Sequence, residues 1–295
     1  MKKDLLKLLD NVQENNVEAP QPERYMLIDG LNLFFRNFSI INAVNSNGAH
    51  VGGLGGFFRS LGALTRQIQP TQIIVVFDGV GSSNNRKNII PEYKSNRNLT
   101  RVTKHELFDN IDEEDDAKVS QIVRIIEYLQ TLPVKVISLD RVEADDIIAH
   151  LSSVLPQKED EKVFIVSSDK DYLQLGIKGL GAKTLFKKFP ELTTEHLSFD
   201  DIIELSEQRM EEHVVYARIL HDIEMLENKY KIMDLSNPMM TDDDKEYIAE
   251  FIKPFPLELH AKEFINMYNE DQLGGLIRNV EFWIKDIFQN LVTSK

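Results

Sequence analysis

Apolar, β-branched runs that each end in an acid recur through this chain, and that recurrence constrains its fold more than any other feature. They are Tyr25-Met26-Leu27-Ile28-Asp29-Gly30, Thr71-Gln72-Ile73-Ile74-Val75-Val76-Phe77-Asp78-Gly79 and Lys162-Val163-Phe164-Ile165-Val166-Ser167-Ser168-Asp169-Lys170-Asp171. Short continuous apolar runs bounded by turn residues are typical of strands buried on both faces of a parallel sheet. A fourth strand, Val134 to Leu139, leads into Val142-Glu143-Ala144-Asp145-Asp146-Ile147-Ile148-Ala149, where three acids enter the first turn of a helix. Strands alternating with helical stretches at this spacing predict an α/β fold with a parallel sheet. Sites in such sheets form outside the carboxyl ends of the strands.

One rim therefore collects Asp29, Asp78, Glu143, Asp145, Asp146, Asp169 and Asp171. Clustered carboxylates raise one another's pKa and disfavour joint ionisation, which bound cations would relieve. Carboxylate oxygen suits Mg²⁺, which keeps several waters and also takes substrate phosphate. Two divalent ions ~4 Å apart can activate water on one side of a phosphodiester and stabilise the leaving oxygen on the other. Simpler readings exist for each motif alone: acids at a helix start are favoured by capping and the macrodipole, and a single Asp after a strand is a common turn residue.

The chain has no cysteine, which removes disulfides and zinc held through sulfur. No apolar run approaches the ~20 residues of a membrane span, and Met1 to Asp10 is too interrupted by charge for a signal peptide. A soluble intracellular protein is expected. A net charge of −14 argues against indiscriminate nucleic-acid binding, so any such contact must use local basic patches. Arg86 to Lys104 is one: Arg86, Lys87, Lys94, Arg97, Arg101 and Lys104 stand against the single acid Glu92. Such a run is usually solvated surface. Beside an ion site its cations could hold a scissile phosphate, and Tyr93 could stack on a base. A second patch, Gly176-Ile177-Lys178-Gly179-Leu180-Gly181-Ala182-Lys183-Thr184, lacks the GxxxxGK[ST] spacing of a nucleotide-binding loop. It reads either as a glycine turn whose N–H groups hold phosphate or as a tight helix connection. Elsewhere, residues 1–23 read as an arm with a polar linker, Asn45 to Gly56 as a loop, and Phe57 to Ile68 as a helix closed by Pro70. Asp109 to Asp116 is a solvated loop or helix start. Beyond Thr193 the pattern is helical, and runs around Phe264 and Trp283 suit a core.

The ordered set Leu-Ile-Asp-Gly, Val-Phe-Asp-Gly, Tyr-Lys-x-x-Arg, Glu-Ala-Asp-Asp, Ser-Ser-Asp-Lys-Asp and Gly-Ile-Lys-Gly-Leu-Gly-Ala-Lys-Thr resembles the flap endonuclease and 5′-3′ exonuclease superfamily. The likeness is nearest to phage enzymes of the T4 ribonuclease H type, and it covers residues 24 to 189 motif by motif. It implies a PIN-like, parallel-sheet 5′-nuclease domain over 24–175 after a flexible arm over 1–23. A helical arch would span about 82–118, and a helix-hairpin-helix with an α-helical DNA-binding or support domain would fill 176–295. By motif, Asp29, Asp78, Glu143 and Asp145 would ligate the first metal, with Asp146 beside them in a catalytic role. Asp169 and Asp171 would ligate the second. Lys94 and Arg97 would steer or polarise the phosphate. Arg86, Lys87, Tyr93, Arg101, Lys104, Gly179, Gly181, Lys183 and Thr184 would contact nucleic acid.

The resemblance further implies two Mg²⁺ ions, with Mn²⁺ able to substitute, and a monovalent ion such as K⁺ at the hairpin. The implied activity is hydrolysis of RNA primers and 5′ flaps on DNA and RNA–DNA duplexes during replication. It would be carried out by a monomer in a bacterial or phage-infected cytoplasm, without membrane contact, beside a single-stranded-DNA-binding protein or sliding clamp. One departure stands out. The family places a Gly-Asp-x-x-Asp segment before the glycine hairpin, whereas Leu173-Gln174-Leu175 here runs directly into Gly176. Either the segment is deleted, leaving the second ion short of ligands, or residues are missing from the sequence as read. A true peptide there would set the two Cα atoms about 3.8 Å apart. Deletion would favour the alternative of a non-catalytic protein that binds branched DNA. A phosphatase using Asp29 as nucleophile would need Asp-x-Asp, and Leu31 and Asn32 follow Gly30 instead.

Overall fold

The computed structural model describes residues 22–95, 102–104, 106–169, 199–212, 214–221 and 223–292. Most of the N-terminal arm, the centre of the expected arch, Asp171, the Leu175-Gly176 junction and the glycine hairpin lie outside the described residues. Four strands form one sheet: β1 (Arg24–Asp29), β2 (Gln72–Val76), β3 (Lys135–Ile137) and β4 (Lys162–Val166), in the order β3-β2-β1-β4. All three pairings are parallel. The chain steps outward from β1 to β3 and then returns to the far side of β1. The strand order therefore reverses beside β1, the position at whose carboxyl ends sites form in open parallel sheets.

Both faces of the sheet are covered, which is why the strands read as unbroken apolar runs. On one face Met26, Ile28, Ile73 and Val75 meet Phe34, Phe38, Phe57, Phe58, Tyr128, Phe264, Trp283 and Phe288. On the other, Tyr25, Leu27, Ile74 and Val76 meet Ile147, Ile148, Leu151, Leu235 and Ile248. Successive strand residues point to opposite faces, so each strand feeds both cores. The first face is built by α1 (Gly30–Ile40), α2 (Gly52–Ile68) and α4 (Ile111–Leu129). Two late helices, α10 (Ala261–Glu270) and α11 (Val280–Phe288), join them there. The second face carries α5 (Ala144–Val154) and α9 (Asp242–Phe251). Between the sheet elements lies α3 (Asn84–Ile89), and α6 (Phe199–Gln208), α7 (Val214–His221) and α8 (Ile223–Met233) precede α9. Among the described residues no helix is long and apolar enough to cross a membrane.

Helix α2 begins five residues before Phe57, inside the stretch whose glycines suggest a loop. Those glycines serve close packing. A Cβ on Gly53 would lie 2.5 Å from the Phe34 ring, and one on Gly55 would lie 2.2 Å from Leu276. The contacts offset the helix-weakening effect of glycine. The acidic run after Asp109 is a helix start: the Asn110 side chain caps α4, with Asp112, Glu113 and Glu114 in its first turn.

Candidate active site

Asp29 closes β1 and caps α1, its Oδ1 accepting from the Asn32 N–H at 3.0 Å and its Oδ2 from the Ser167 hydroxyl at 3.3 Å. Asn32 in turn accepts from the Ser168 N–H at 3.0 Å and hydroxyl at 2.8 Å, tying the exits of β1 and β4 together. Burial pushes the Asp29 pKa up. The Asn32 N–H opposes this shift, while the charges of Asp78 and Asp169 reinforce it. Strands β1, β2 and β4 thus bring these three acids within electrostatic reach of one another at one end of the sheet.

Asp78 follows β2, and the adjoining Gly79 is held against the turn after β3. A Cβ there would fall 1.7 Å from the Leu139 carbonyl oxygen, so only glycine permits this approach. The Gly79 N–H donates to the Val142 carbonyl at 3.2 Å. Asp78 is thereby set over the start of α5, where its Oδ1 accepts from the Ala144 N–H at 2.7 Å. Glu143 occupies the N-cap position of α5 without capping it through its own side chain. Asp78 supplies the missing acceptor from another strand, leaving the Glu143 carboxylate for other partners.

Those partners are cationic or phenolic. Arg86, on α3, is only 2% exposed. Its guanidinium lies 2.6 Å from Asp146, 3.0 Å from Glu143 and 3.2 Å from Asp145, and its Nε donates to the Ile232 carbonyl at 2.8 Å. Asp146 also accepts from the Met239 N–H at 2.9 Å. Burial disfavours the Arg86 charge, but Asp145, Asp146 and Glu143 outweigh it and raise its pKa. Lys94 Nζ sits 2.7 Å from Glu143 Oε1, and the Tyr93 hydroxyl donates to Oε2 at 3.0 Å. Burial and the Glu143 charge push the Tyr93 phenol well up. Asp145, the most open of the three helix-start acids, has its pKa pushed up to about 7. Burial is the main cause, Asp146 and Glu143 add to it, and Arg86 and Lys94 act against it.

Two expected nucleic-acid contacts have other work. Arg86 is a buried counter-ion that joins α3 and α5 to the last turn of α8, and it has almost no surface to offer a phosphate. Lys104 is 8% exposed, and its ammonium donates to Asn42 Oδ1 while its backbone N–H donates to Glu114. Asp146, expected in a catalytic role, is fully engaged by Arg86 and Met239. Lys87 lies exposed on α3, and Tyr93 and Lys94 sit at the rim. Arg97, Arg101, Asp171, Gly179, Gly181, Lys183 and Thr184 lie outside the described residues. Asn32 escaped the sequence argument, although an Asn three residues after a strand-ending Asp is a visible capping signal. Among the described residues no three His, Asp or Glu side chains are gathered closely enough to hold a metal ion.

Residues 24–196 match the family described as 5′-3′ exonuclease, N-terminal resolvase-like domain. A 5′-3′ exonuclease of Buchnera aphidicola is 30% identical over 152 residues, 51% of this chain and 48% of that protein. DNA polymerase I of Treponema pallidum is 36% identical over 152 residues, 50% of this chain and 14% of the polymerase. The chain thus spans about half the length of the first relative and a small part of the second. A solved structure of T5 5′-exonuclease with bound zinc covers 88% of this chain and 100% of its own, at 16% identity and a TM-score of 0.51, a likeness of fold. With a match covering more than half of its length, the chain belongs to the 5′-3′ exonuclease N-terminal, resolvase-like domain family.

Proposed function

We propose that this protein is a divalent-metal-dependent, structure-specific 5′ nuclease that hydrolyses phosphodiesters at 5′ flaps and at the ends of DNA and RNA–DNA duplexes. The reading includes ribonuclease H activity on primers of the kind met in replication. The observation that carries it is the placement of Asp29, Asp78 and the Glu143-Ala144-Asp145 helix start along the carboxyl ends of adjacent parallel strands, in a chain of this family. The donor chemistry fits a hard divalent ion such as Mg²⁺: the acids are oxygen ligands, and burial first, then neighbouring acids, raise the pKa of Asp29 and Asp145, a strain on their ionised form that a bound cation would relieve. Asp29, Asp78, Glu143 and Asp145 would hold the first ion, and Asp169 with Asp171 a second. When bound, such ions supply activated water and stabilise the leaving oxygen.

The chain's own residues do the positioning. Asn32 and Ser167 orient Asp29, and the Ala144 N–H orients Asp78. Arg86 fixes Asp146 and thereby the first turn of α5. Lys87, exposed on α3, and Lys94 offer cations to the substrate backbone.

Cleavage of a labelled 5′-flap substrate in Mg²⁺ or Mn²⁺ tests the proposal, with an RNA-primed duplex as the second substrate. Tight binding without cleavage in either metal would sink it in favour of the non-catalytic binder of branched DNA, a reading supported by the direct passage from Leu175 to Gly176. Asp145→Asn should cut the rate by at least the ~100-fold that even outer partners of a metal ligand can cost. It should leave DNA binding intact or stronger, since a negative charge is removed. Unchanged cleavage would displace Asp145 from the first metal site.

A further inference from the structure

Glu143 is 2% exposed, and both of its oxygens are engaged. Oε1 is held by Lys94, and Oε2 by the Tyr93 hydroxyl and the Arg86 guanidinium. These donors differ in how firmly they are fixed. Arg86 is as buried as Glu143 and is also bound to Asp146 and the Ile232 carbonyl. Lys94 is 22% exposed, ends a turn in a left-handed conformation at φ 58°, and has Glu143 as its ion-pair partner. Of the two cations on Glu143, Lys94 is therefore the one that can leave for solvent, while Arg86 is locked in place. Two cations cannot share one desolvated carboxylate oxygen without strong repulsion.

We infer that Lys94 is an internal counter-ion of Glu143 that exchanges with a divalent ion, Tyr93 helping to hold the carboxylate toward its internal partners, so that ion binding releases the Lys94 ammonium toward the substrate face. The inference rests on the reading that Glu143 ligates a divalent ion. It gives a physical reason why, among the described residues, the rim acids are not gathered around one point: Glu143 is turned to its internal partners. It also orders events, because a lysine in the middle of the basic stretch becomes available for phosphate once the ion is in place.

Calorimetric titration of the full chain with Mg²⁺, together with the rate of amine acylation at Lys94 read by mass spectrometry, tests the exchange. Saturating Mg²⁺ should raise Lys94 acylation about fivefold or more, the low end of coupling between linked sites. Acylation of exposed Lys87 should not change. By the same reciprocity Lys94→Gln should bind Mg²⁺ more tightly. Tyr93→Phe, which removes a hydrogen bond and no charge, should also bind it more tightly, a result that general electrostatics does not give. In Glu143→Gln, Lys94 should be reactive with or without Mg²⁺. Clear Mg²⁺ binding with unchanged Lys94 reactivity would overturn the exchange and leave the nuclease reading standing. No Mg²⁺ binding at all would overturn both.

Discussion

The two corners of the acidic rim stabilise their carboxylates in different ways. At the β1–β2 corner, Asp29 and Asp78 are held by neutral donors: the Asn32 and Ala144 N–H groups and the Ser167 hydroxyl. At the α5 corner, Glu143 and Asp146 are held by charges, Arg86 and Lys94. The difference follows depth. Asp78 is exposed and Asp29 half-buried, so water helps solvate them, and neutral donors suffice to orient them. Glu143 and Asp146 are almost wholly out of water, where an ionised carboxylate persists only beside a cation. A rim assembled this way orients its shallow acids with neutral donors and reserves its cations for the deep ones.

The largest effect should come from removing the deep cation. Arg86→Gln leaves Asp146 without its cation and Glu143 with Lys94 alone, and should cost ~3–5 kcal/mol in chemical denaturation, as for other broken buried pairs. Adding Asp146→Asn should recover part of that loss. If Arg86→Gln proves nearly neutral, the two corners do not differ as argued.

Glu114 provides an independent case of a deep acid held by a cation and N–H donors. It accepts from the Thr103 N–H at 2.7 Å and the Lys104 N–H at 3.3 Å, and Lys118 lies 3.0 Å away. Burial works to raise its pKa, but the Thr103 hydroxyl, Lys118 and the two N–H groups overcome it and draw it down to about 2. A carboxyl with a depressed folded pKa stabilises above its unfolded value, near 4.5, and loses that contribution as pH falls toward 2. Unfolding free energy should therefore drop by up to ~3 kcal/mol across that window. Glu114→Gln should flatten the profile; the same slope in that variant would remove Glu114 as its source. The smallest effect belongs to the shallow corner. Asp78→Ala should cost ~1 kcal/mol through loss of the acceptor at Ala144, and Asp78→Asn, which keeps an acceptor, should cost less in the same denaturation assay.

How much of this was legible in the sequence depended on distance along the chain. Strand exits can be read because each acid sits next to its own apolar run, and burial on both sheet faces makes those runs continuous. Glu143 as the residue entering α5 follows from the same local pattern. Arg86 could not be read this way. Its partners lie 60 residues away at Asp146 and 146 residues away at Ile232, and it hides in a stretch whose composition suggests surface. Lys104 was obscured for the same reason, its partner Asn42 being 62 residues upstream. The early start of α2 was masked because glycine signals a loop locally, and the aromatic and aliphatic groups that its glycines admit come from elsewhere in the chain.

The Arg86 joint also bears on how this protein could be divided. The segment that matches the family ends at residue 196, yet the carbonyl that Arg86 grips and the N–H that Asp146 accepts belong to Ile232 and Met239. Phe264 and Trp283 lie in the same core as β1 and β2. A fragment trimmed at the family boundary would open the floor of its own acidic rim and expose an aromatic wall. Recognisable ancestry and physical autonomy end at different places in this chain, and grafting the rim elsewhere would mean carrying its distant tail with it.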